Sequence, residues 1–363
     1  MVSQSQAGAG VVRLARPDTG EQELAEVAAV LESGQLTMGP KVEELEELLS
    51  GATGAAHAIA VSSGTAALHL AVLAAGIGPG DEVLVPAYTF PATANVVALV
   101  GAAPVLVDVD PVTMNVDPED AARRVTPRTK AVLAVHLFGR PARLEELPDL
   151  PLVEDAAGAL GASHRGRPCG GLGLVGCFSF HPRKIVTTGE GGAVTTNDAE
   201  LAERVRSLRH HGWSPSGRYE DISAGAFNYR LSDVLCALGI PQLRRLDELL
   251  AARERIAAGY AERLAGLDLV LPEADPGDRH GLQAYVIQLD RRDAVMELLR
   301  AQGIQCQIGT YALHRLGAYR DQGPFPGADA AYERALALPL HTGLTEAELD
   351  RVAEALDKLV SHH

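Results

Sequence analysis

The sequence is short of aromatic residues, which make up only 4% of its 363 residues. Aliphatic side chains and alanine must therefore fill most of the core, in a chain long enough to bury one without covalent staples. Apolar residues amount to 47% and charged residues to 22%, a balance that is typical of globular proteins and excludes a disordered chain. The composition thus predicts a folded protein of two or three domains.

Positive charge is scarce as well. The 32 Lys and Arg residues are outnumbered by 47 Asp and Glu residues, which gives a formal net charge of −15. Such a chain repels phosphate backbones and anionic lipid, which argues against non-specific binding to nucleic acid or to membranes. Any phosphate group must be held locally, by backbone N–H groups and a few side chains.

Cysteine and long apolar runs are also rare. The four cysteines form neither a C-x-x-C pair nor a zinc-ligand pattern, so they predict a reduced, cytoplasmic protein without a metal site. Residues 1–10 are small and polar, which predicts a disordered terminus and no signal peptide. The longest apolar run, from about Val96 to Val107, is shorter than the ~20 residues that a membrane helix needs.

Up to about Arg230, short apolar runs alternate with helical patterns. This alternation predicts βαβ units and a mostly parallel sheet covered on both faces. Helical spacing is found over Glu21–Ser33, Lys41–Leu49 and Ala66–Ala75. The strand-like runs are His57–Val61, Glu82–Val85, Val105–Val109, Ala131–His136 and Leu152–Glu154.

After residue 230 the pattern changes. Ser232–Leu267 has helical spacing throughout, and Pro241 should kink or break that helix. A strand over Tyr285–Leu289 and helices over Asp293–Ala301 and Glu346–Leu359 are predicted beyond it. We therefore expect a large α/β domain over residues 1–240 and a smaller α+β domain over residues 241–363.

Two segments are candidates for ligand binding. Ser62–Leu68 is a small-residue turn between a strand and a helix, so it predicts either an anion site at the helix start or a simple capped turn. Glu154 and Asp155 end a buried strand, the position where open α/β sheets bind ligands. A carboxylate there could pair with a cationic ring nitrogen, although a helix cap is the alternative.

Lys184 lies between an apolar strand and the glycine-rich turn Thr187–Gly192. A lysine there can be desolvated, which lowers its pKa and frees a neutral amine for Schiff-base formation, unless it is an ordinary solvated lysine. In chain order, a phosphate turn, an aromatic loop with Tyr88 and Phe90, a strand-end Asp and this lysine are the components of a pyridoxal-phosphate (PLP) enzyme.

The whole set of motifs resembles the DegT/DnrJ/StrS family of sugar aminotransferases, from about Gly34 to the final helix. The resemblance implies the fold type I PLP architecture, with a mostly parallel sheet in a large domain, a smaller C-terminal α+β domain, and a homodimer with shared active sites. The matching segments are LT-x-GP at 36–40, SSGTAAL at 62–68, P-x-x-TF-x-AT at 86–93, VDVD at 107–110, ED at 154–155, FSFHPRK at 178–184, TTGEGG at 187–192, LRHHG at 208–212 and NYR at 228–230.

The resemblance also implies residue roles. Lys184 would bind the cofactor covalently and move the substrate proton, and Asp155 would pair with the pyridine nitrogen. Phe90 would stack on the ring, and Asn228 would reach the phosphate of the partner subunit. The other implied cofactor residues are Gly64, Thr65, Ala66, Ala157 and Ser179, and the implied substrate residues are Tyr88, His314 and Tyr319.

The implied reaction transfers an amino group from L-glutamate or L-glutamine to a keto sugar, most simply a nucleotide-linked one. Two alternatives within the family are a cyclitol or other natural-product ketone as acceptor, and a sugar dehydratase, in which a histidine typically replaces the lysine. Gly158 departs from the family, which usually has Gln or His there, so we expect a gap or room for a different substrate. Trp213 and Tyr219 either line the sugar site or pack.

Overall fold

The structure is a computed structural model that describes residues 10–213, 221–222, 225–320 and 322–360. Apart from Gly10, the predicted disordered terminus lies outside the described residues, and so does Tyr219. The α-helices are α1 (Glu21–Ser33), α2 (Pro40–Thr53), α3 (Gly64–Ala74), α4 (Ala92–Leu99), α5 (Pro118–Arg124), α6 (Ala199–Arg209), α7 (Asp233–Arg244), α8 (Leu246–Arg263), α9 (Arg292–Ala301), α10 (Pro326–Arg334) and α11 (Glu346–Val360). None of the helices in this part of the chain combines the length and apolarity that spanning a bilayer requires.

The strands are short, and most follow the predicted apolar runs closely. They are β1 (His57–Val61), β2 (Glu82–Pro86), β3 (Tyr88–Thr89), β4 (Ala103–Val107), β5 (Thr129–Val135), β6 (Leu152–Asp155), β7 (Ser163–His164), β8 (Arg167–Pro168), β9 (Val175–Ser179), β10 (Gly192–Thr196), β11 (Tyr285–Gln288), β12 (Gln307–Ile308), β13 (Tyr311–Ala312) and β14 (Ala335–Leu338).

A seven-stranded sheet in the order β1-β10-β9-β6-β5-β2-β4 forms the centre of the molecule. Strand β10 is antiparallel to both of its neighbours, and the pairs from β9 to β4 are all parallel. Since β1 and β9 both oppose β10, they run in the same direction. The predicted mostly parallel sheet is therefore confirmed, and the turns that follow β1, β9, β6 and β5 all leave the same edge.

Helices cover both faces of this sheet, which explains why its strands are continuously apolar. Successive side chains of β1 alternate between the two layers: Ile59 packs with the cluster that contains Leu70 of α3, and Ala60 with the cluster that contains Leu45 of α2. The small alanine side chain on the second face lets α2 lie close to the strand.

A second sheet, in the order β11-β14-β12, is antiparallel throughout. Its core includes Leu299 of α9 and Leu356 of α11, together with Val12 from the start of the described chain. The predicted domain boundary between residues 240 and 241 lies within α7. The division into residues 1–240 and 241–363 stays a prediction.

Pro241 does not break the helix in which it lies, contrary to the sequence-based expectation. Helix α7 continues past it, and the break comes at Arg245, where the backbone adopts φ −110° and ψ 25°. Proline removes a single N–H donor from the helix. The Gln242 side chain supplies donors close by, since its Nε2 group donates to the Leu238 carbonyl at 2.7 Å and to the Thr187 carbonyl at 2.8 Å.

Asp233 joins the start of α7 to the start of α2. Its carboxylate is fully buried and accepts the backbone N–H groups of Gly39 at 2.8 Å and Lys41 at 3.0 Å. These donors belong to a helix start, where backbone N–H groups lack acceptors within the helix. A Cβ atom on Gly39 would lie 2.6 Å from Asp233 Oδ1, so only glycine permits this approach.

We predict that Asp233→Asn lowers the free energy of unfolding by about 1–3 kcal/mol, because an amide offers one acceptor oxygen for two donors and leaves a buried group unsatisfied. Urea unfolding monitored by circular dichroism measures the change. Asp268→Asn is the control, since Asp268 is exposed and its substitution makes the same change in charge. Equal midpoints for the two variants would show that the cap is unimportant.

Candidate active site

A cavity of about 680 Å³ opens at the edge of the sheet where the parallel strands end. The turns after β1, β6 and β9 form one wall, and the segment from β12 to β13 forms part of another. Seven of the predicted site residues line it together: Gly64, Thr65, Phe90, Asp155, Ala157, Ser179 and Lys184. The topology therefore brings together residues that are far apart in sequence.

The start of α3 presents an anion site to this cavity. The N–H groups of Gly64 and Thr65 belong to the first turn and have no acceptor within the helix, at the positive end of its dipole. Ser179 packs so closely that a Cβ atom on Gly64 would lie 2.7 Å from Ser179 Cβ. Ala66 is a correction to the prediction, because its N–H already donates to Ser63 Oγ at 3.0 Å.

Asp155 ends β6 and is only 5% exposed. Thr93 Oγ1 donates to one carboxylate oxygen at 2.8 Å, and the Ala157 N–H donates to the other at 3.2 Å. Burial raises the pKa of Asp155, although these hydrogen bonds and the charge of Lys184 oppose the shift. Among the described residues no cationic nitrogen lies within 4 Å of the carboxylate, so it can accept a cationic partner from a ligand.

Glu154, the neighbour of Asp155, faces away from the cavity and has a structural role. Three backbone N–H groups within residues 170–173 donate to its carboxylate at 2.6–2.7 Å, and His136 Nε2 lies 2.9 Å from it. The Ala142 N–H donates to His136 Nδ1, so we assign the ring proton to Nε2. The two adjacent carboxylates thus have different roles because strand residues alternate between faces.

Lys184 lies in the turn that follows β9, where its backbone N–H donates to the His181 carbonyl at 2.8 Å. Its side chain lines the cavity. Burial lowers the pKa of Lys184 to about 8, and the charge of Arg183 acts in the same direction while Asp155 opposes it. A substantial fraction of this lysine is therefore neutral, and so nucleophilic, near neutral pH.

The glycine-rich turn after Lys184 is fixed by hydrogen bonds. Thr187 Oγ1 donates to the Phe180 carbonyl at 2.8 Å, and the Thr187 N–H donates to Gln242 Oε1 at 2.9 Å. A side chain on Gly191 would collide with Thr188 Oγ1. The turn is thus held to the end of β9 and to α7, which fixes the backbone position of Lys184.

Phe90 lies at the mouth of the cavity and is 61% exposed. It meets Tyr311 edge-on, with ring centroids 6.3 Å apart. Tyr311 also lines the cavity and is 40% exposed. Two exposed aromatic rings at one opening provide an apolar surface on which a planar ligand ring can stack.

The three predicted substrate residues do not line the cavity of their own chain. Tyr88 is a correction, because it is wholly buried and its hydroxyl accepts the Thr310 N–H at 3.1 Å. His314 and Tyr319 are engaged elsewhere. His314 Nε2 lies 3.0 Å from Asp329 Oδ1, and the Tyr319 hydroxyl donates to Asn95 Oδ1 at 2.6 Å.

Asn228 is exposed and also lies outside the cavity of its own chain. Its backbone pairs with His210 through an isolated antiparallel bridge. Its side chain is not among the residues that line the cavity of this chain. An exposed position is compatible with the predicted contribution to a partner subunit, which stays a prediction.

Gly158 lines the cavity, and the expected gap or room for a different substrate there stays a prediction. A Cβ atom on Gly158 would lie 3.4 Å from both Cβ and Oε1 of Gln283, which also lines the cavity. Gln283 Nε2 donates to the Arg183 carbonyl at 3.2 Å. Gln283 could not be identified from the sequence, because it precedes β11 and lies far from any motif. The hydrogen bond of Thr93 to Asp155 was also not expected, although Thr93 belongs to the matching segment at 86–93.

The model of the DegT/DnrJ/EryC1/StrS aminotransferase family matches residues 17–357 of this chain. The chain is also 42% identical, over 339 residues, to a GDP-perosamine synthase from Caulobacter vibrioides, and the match covers 89% of this chain and 91% of the relative. Both matches extend over most of the sequence, and the family match includes every segment that lines the cavity.

Two solved structures share the fold. The aminotransferase TlmJ from Streptoalloteichus hindustanus superposes with a TM-score of 0.93 at 35% identity, covering 97% of this chain and 99% of that one. The structure of DesI in the presence of its TDP-sugar product superposes with a TM-score of 0.91 at 36% identity, covering 98% and 94%. The predicted α/β architecture of a PLP-dependent aminotransferase is confirmed. This chain belongs to the DegT/DnrJ/EryC1/StrS aminotransferase family.

Proposed function

We propose that this enzyme binds PLP and transfers an amino group from L-glutamate or L-glutamine to a nucleotide-linked keto sugar. One observation carries the proposal: a single cavity contains a desolvated lysine, a buried carboxylate without a cation, and a helix start with free N–H groups. The relative named for a GDP-linked sugar and the neighbour that holds a TDP-linked product support a nucleotide sugar as the acceptor.

The residues present fit the three polar parts of PLP. The amine of Lys184 suits the aldehyde, the carboxylate of Asp155 suits the protonated ring nitrogen, and the N–H groups of Gly64 and Thr65 suit the phosphate beside Ser179. Phe90 offers a ring face for stacking. When bound, the cofactor supplies the electron sink that stabilises negative charge at the substrate carbon.

Lys184 is the proposed proton carrier. Its neutral amine would first hold the cofactor and, once displaced by the amino donor, would accept the proton from the α-carbon of that donor. In the second half-reaction the same Nζ would return a proton to the carbon that was the ketone of the acceptor. Both tasks need a pKa near the working pH, which the burial of Lys184 provides.

Asp155 is the proposed partner of the ring nitrogen. The pyridinium N–H would donate to its carboxylate, and this pairing would lower the pKa that burial raises. Thr93 and the Ala157 N–H orient the two oxygens from the protein side. The carboxylate therefore meets the ring in a fixed direction without needing to reorganise.

The dimer is part of the proposal, because Asn228 is exposed and does not reach the cavity of its own chain. In a two-fold dimer the same surface faces its own copy, so each chain can lend Asn228 to the other's phosphate site. A cytoplasmic location also belongs to the proposal, and the four buried, unpaired cysteines are compatible with it.

The two alternatives within the family differ in the acceptor or in the reaction. A cyclitol ketone would use the same lysine and carboxylate, so the acceptor must be found by experiment. A dehydratase is the weaker alternative, since Lys184 is present and lines the cavity with its amine partly neutral.

We predict that the purified enzyme is yellow when loaded with PLP and that L-glutamate or L-glutamine bleaches it, because the amino group passes to the cofactor. A keto nucleotide sugar should then restore the colour, and absorbance spectroscopy follows both steps. Recovery with a cyclitol ketone and not with any keto nucleotide sugar would support the alternative acceptor. A protein that stays colourless after incubation with PLP, and whose absorbance changes with neither the amino donor nor the keto acceptor, would contradict the proposed function.

The lowered pKa of Lys184 predicts a pH dependence for cofactor binding. Only the neutral amine attacks the aldehyde, so the rate at which PLP-free enzyme turns yellow should rise with pH and level off above about 8. An ordinary lysine would keep gaining reactivity up to about pH 10.4. Stopped-flow absorbance measures the rate, and Lys184→Ala is the control that forms no covalent colour. A rate still rising beyond pH 10 would contradict the assigned environment.

The shared site predicts complementation between two inactive variants. Asn228→Asp should expel the cofactor, because a carboxylate would face its phosphate, and Lys184→Ala should abolish turnover. If Asn228 acts across the interface, a mixed dimer has one site with both defects and one with none. Activity should therefore return when the subunits exchange, up to about one working site per mixed dimer.

Sedimentation and labelled subunits verify that the dimers exist and exchange. An inactive mixture with verified exchange would show that Asn228 serves its own chain. A monomer at working concentration would exclude the shared site directly.

A further inference from the structure

Arg183 is an unpaired cation inside the cavity. Its side chain lines the wall next to Lys184, and its Nε atom is buried without a hydrogen-bond partner. No carboxylate among the described residues lies within 4 Å of its guanidinium, and the phenol of Tyr311 is the one acidic group that acts on it. A positive charge is thus left uncompensated in a chain with a net charge of −15.

Three other arginines with a buried Nε atom are paired through another nitrogen. Arg209 meets Glu46 at 2.7 Å, Arg140 meets Asp275 at 2.8 Å, and Arg253 donates to the Leu282 carbonyl at 2.9 Å. Arg183 has no such contact within the described residues. Arg183 is half-buried with its Nε atom fully buried, and leaving such a charge unpaired costs free energy, so a partner for it is expected from outside the chain.

The backbone of Arg183 is held from both sides. Gln283 Nε2 donates to its carbonyl at 3.2 Å, and its own N–H donates to His181 Nδ1 at 3.3 Å. These contacts fix the backbone position in the cavity wall from which the Arg183 side chain extends. Burial lowers the pKa of Arg183, while the nearby Tyr311 opposes the shift. Both observations describe a cation that the fold places in position but does not neutralise.

The position of Arg183 distinguishes among the anions that this site must receive. The cofactor phosphate already has the start of α3, with the N–H groups of Gly64 and Thr65. The α-carboxylate of an amino donor is attached to the very carbon that reacts at Lys184, so it must lie close to that lysine, in the cavity that Arg183 also lines. The diphosphate of a nucleotide sugar is separated from its keto carbon by sugar-ring atoms.

We propose that Arg183 binds the α-carboxylate of the amino donor, an inference that rests on the proposed function. A guanidinium matches a carboxylate with two parallel N–H donors, which fixes the orientation of the donor as well as its charge. Arg183 is then a specificity residue for the first half-reaction.

The test uses PLP-loaded enzyme and compares Arg183→Gln and Arg183→Lys with the wild type. Arg255→Gln is the matched control, because Arg255 is an exposed residue of α8 outside the cavity and loses the same charge. The rate of bleaching is measured against L-glutamate concentration. Arg183→Gln should raise the half-saturating concentration about 10- to 100-fold, with partial recovery in Arg183→Lys and no change in Arg255→Gln.

A second readout does not depend on turnover. Glutarate has carboxylates but no amine, so calorimetry of its binding to the loaded enzyme reports the contact alone. Arg183→Gln should weaken this binding by a similar factor. Unchanged glutarate binding together with an unchanged half-saturating L-glutamate concentration would overturn the inference.

A donor series identifies which carboxylate is bound. L-Isoglutamine lacks the α-carboxylate charge and L-glutamine lacks the γ-carboxylate charge. If Arg183 binds the α-carboxylate, Arg183→Gln should hardly affect the half-saturating concentration of L-isoglutamine. The α-amide of this donor already removes the contact that the substitution removes. The same insensitivity with L-glutamine instead would assign the γ-carboxylate and overturn the proposal.

Measurements on the two half-reactions distinguish a failure of this inference from a failure of the proposed function. Recovery of colour with the keto acceptor should be unchanged in Arg183→Gln, and a defect confined to that step would assign Arg183 to the acceptor. If wild-type enzyme binds PLP but no amino acid bleaches it, the proposed function fails. If L-glutamate bleaches wild type and Arg183→Gln at the same concentrations, only the role of Arg183 fails.

Discussion

The site depends on the reversal of one strand, β10, between β1 and β9. Because both neighbours oppose β10, their C-terminal ends meet at one edge, and the start of α3 comes against the end of β9. The approach is so close that side chains are excluded at two points: a Cβ on Gly64 would meet Ser179, and a Cβ on Gly192 would lie 2.6 Å from the carbonyls of Ser63 and Phe178. Glycine at both positions lets the anion site and the lysine turn share one cavity.

The fold distributes charge unevenly around that edge. Glu154 is as buried as Asp155, yet it is fully satisfied by His136 and three backbone N–H groups, and it fixes the loop that carries them. Asp155 accepts hydrogen bonds from Thr93 and the Ala157 N–H but lines the cavity without a cationic partner among the described residues. Lys184 and Arg183 line it without a carboxylate within 4 Å among the same residues. Their pKa shifts have a common origin, since burial disfavours the charged form of each group. Ligands that carry the opposite charge relieve this cost, so binding is favoured by groups that the protein leaves unsatisfied.

Much of this arrangement could be predicted from the sequence because the chemistry lies at the ends of strands. The end of an apolar strand and the glycines after Lys184 are local signals, and the two residues that they indicate, Asp155 and Lys184, both line the cavity. Contacts made at long range carry no such signal. The hydrogen bond from the Thr310 N–H to the buried Tyr88 hydroxyl and the contact of Gln283 with Gly158 both depend on which residues the fold brings together.

Gln283 shows how the second sheet takes part in the site. It lies just before β11, yet its side chain lies against Gly158 and donates to the Arg183 carbonyl. The cavity wall beside Gly158 is therefore formed in part by a residue from the C-terminal part of the chain. The same residue also holds the backbone of the unpaired Arg183. A side chain at 158 would contact Gln283, whose amide makes one of the two contacts that hold the backbone of Arg183. The absence of a side chain at Gly158 and the position of Arg183 are thus linked through one amide.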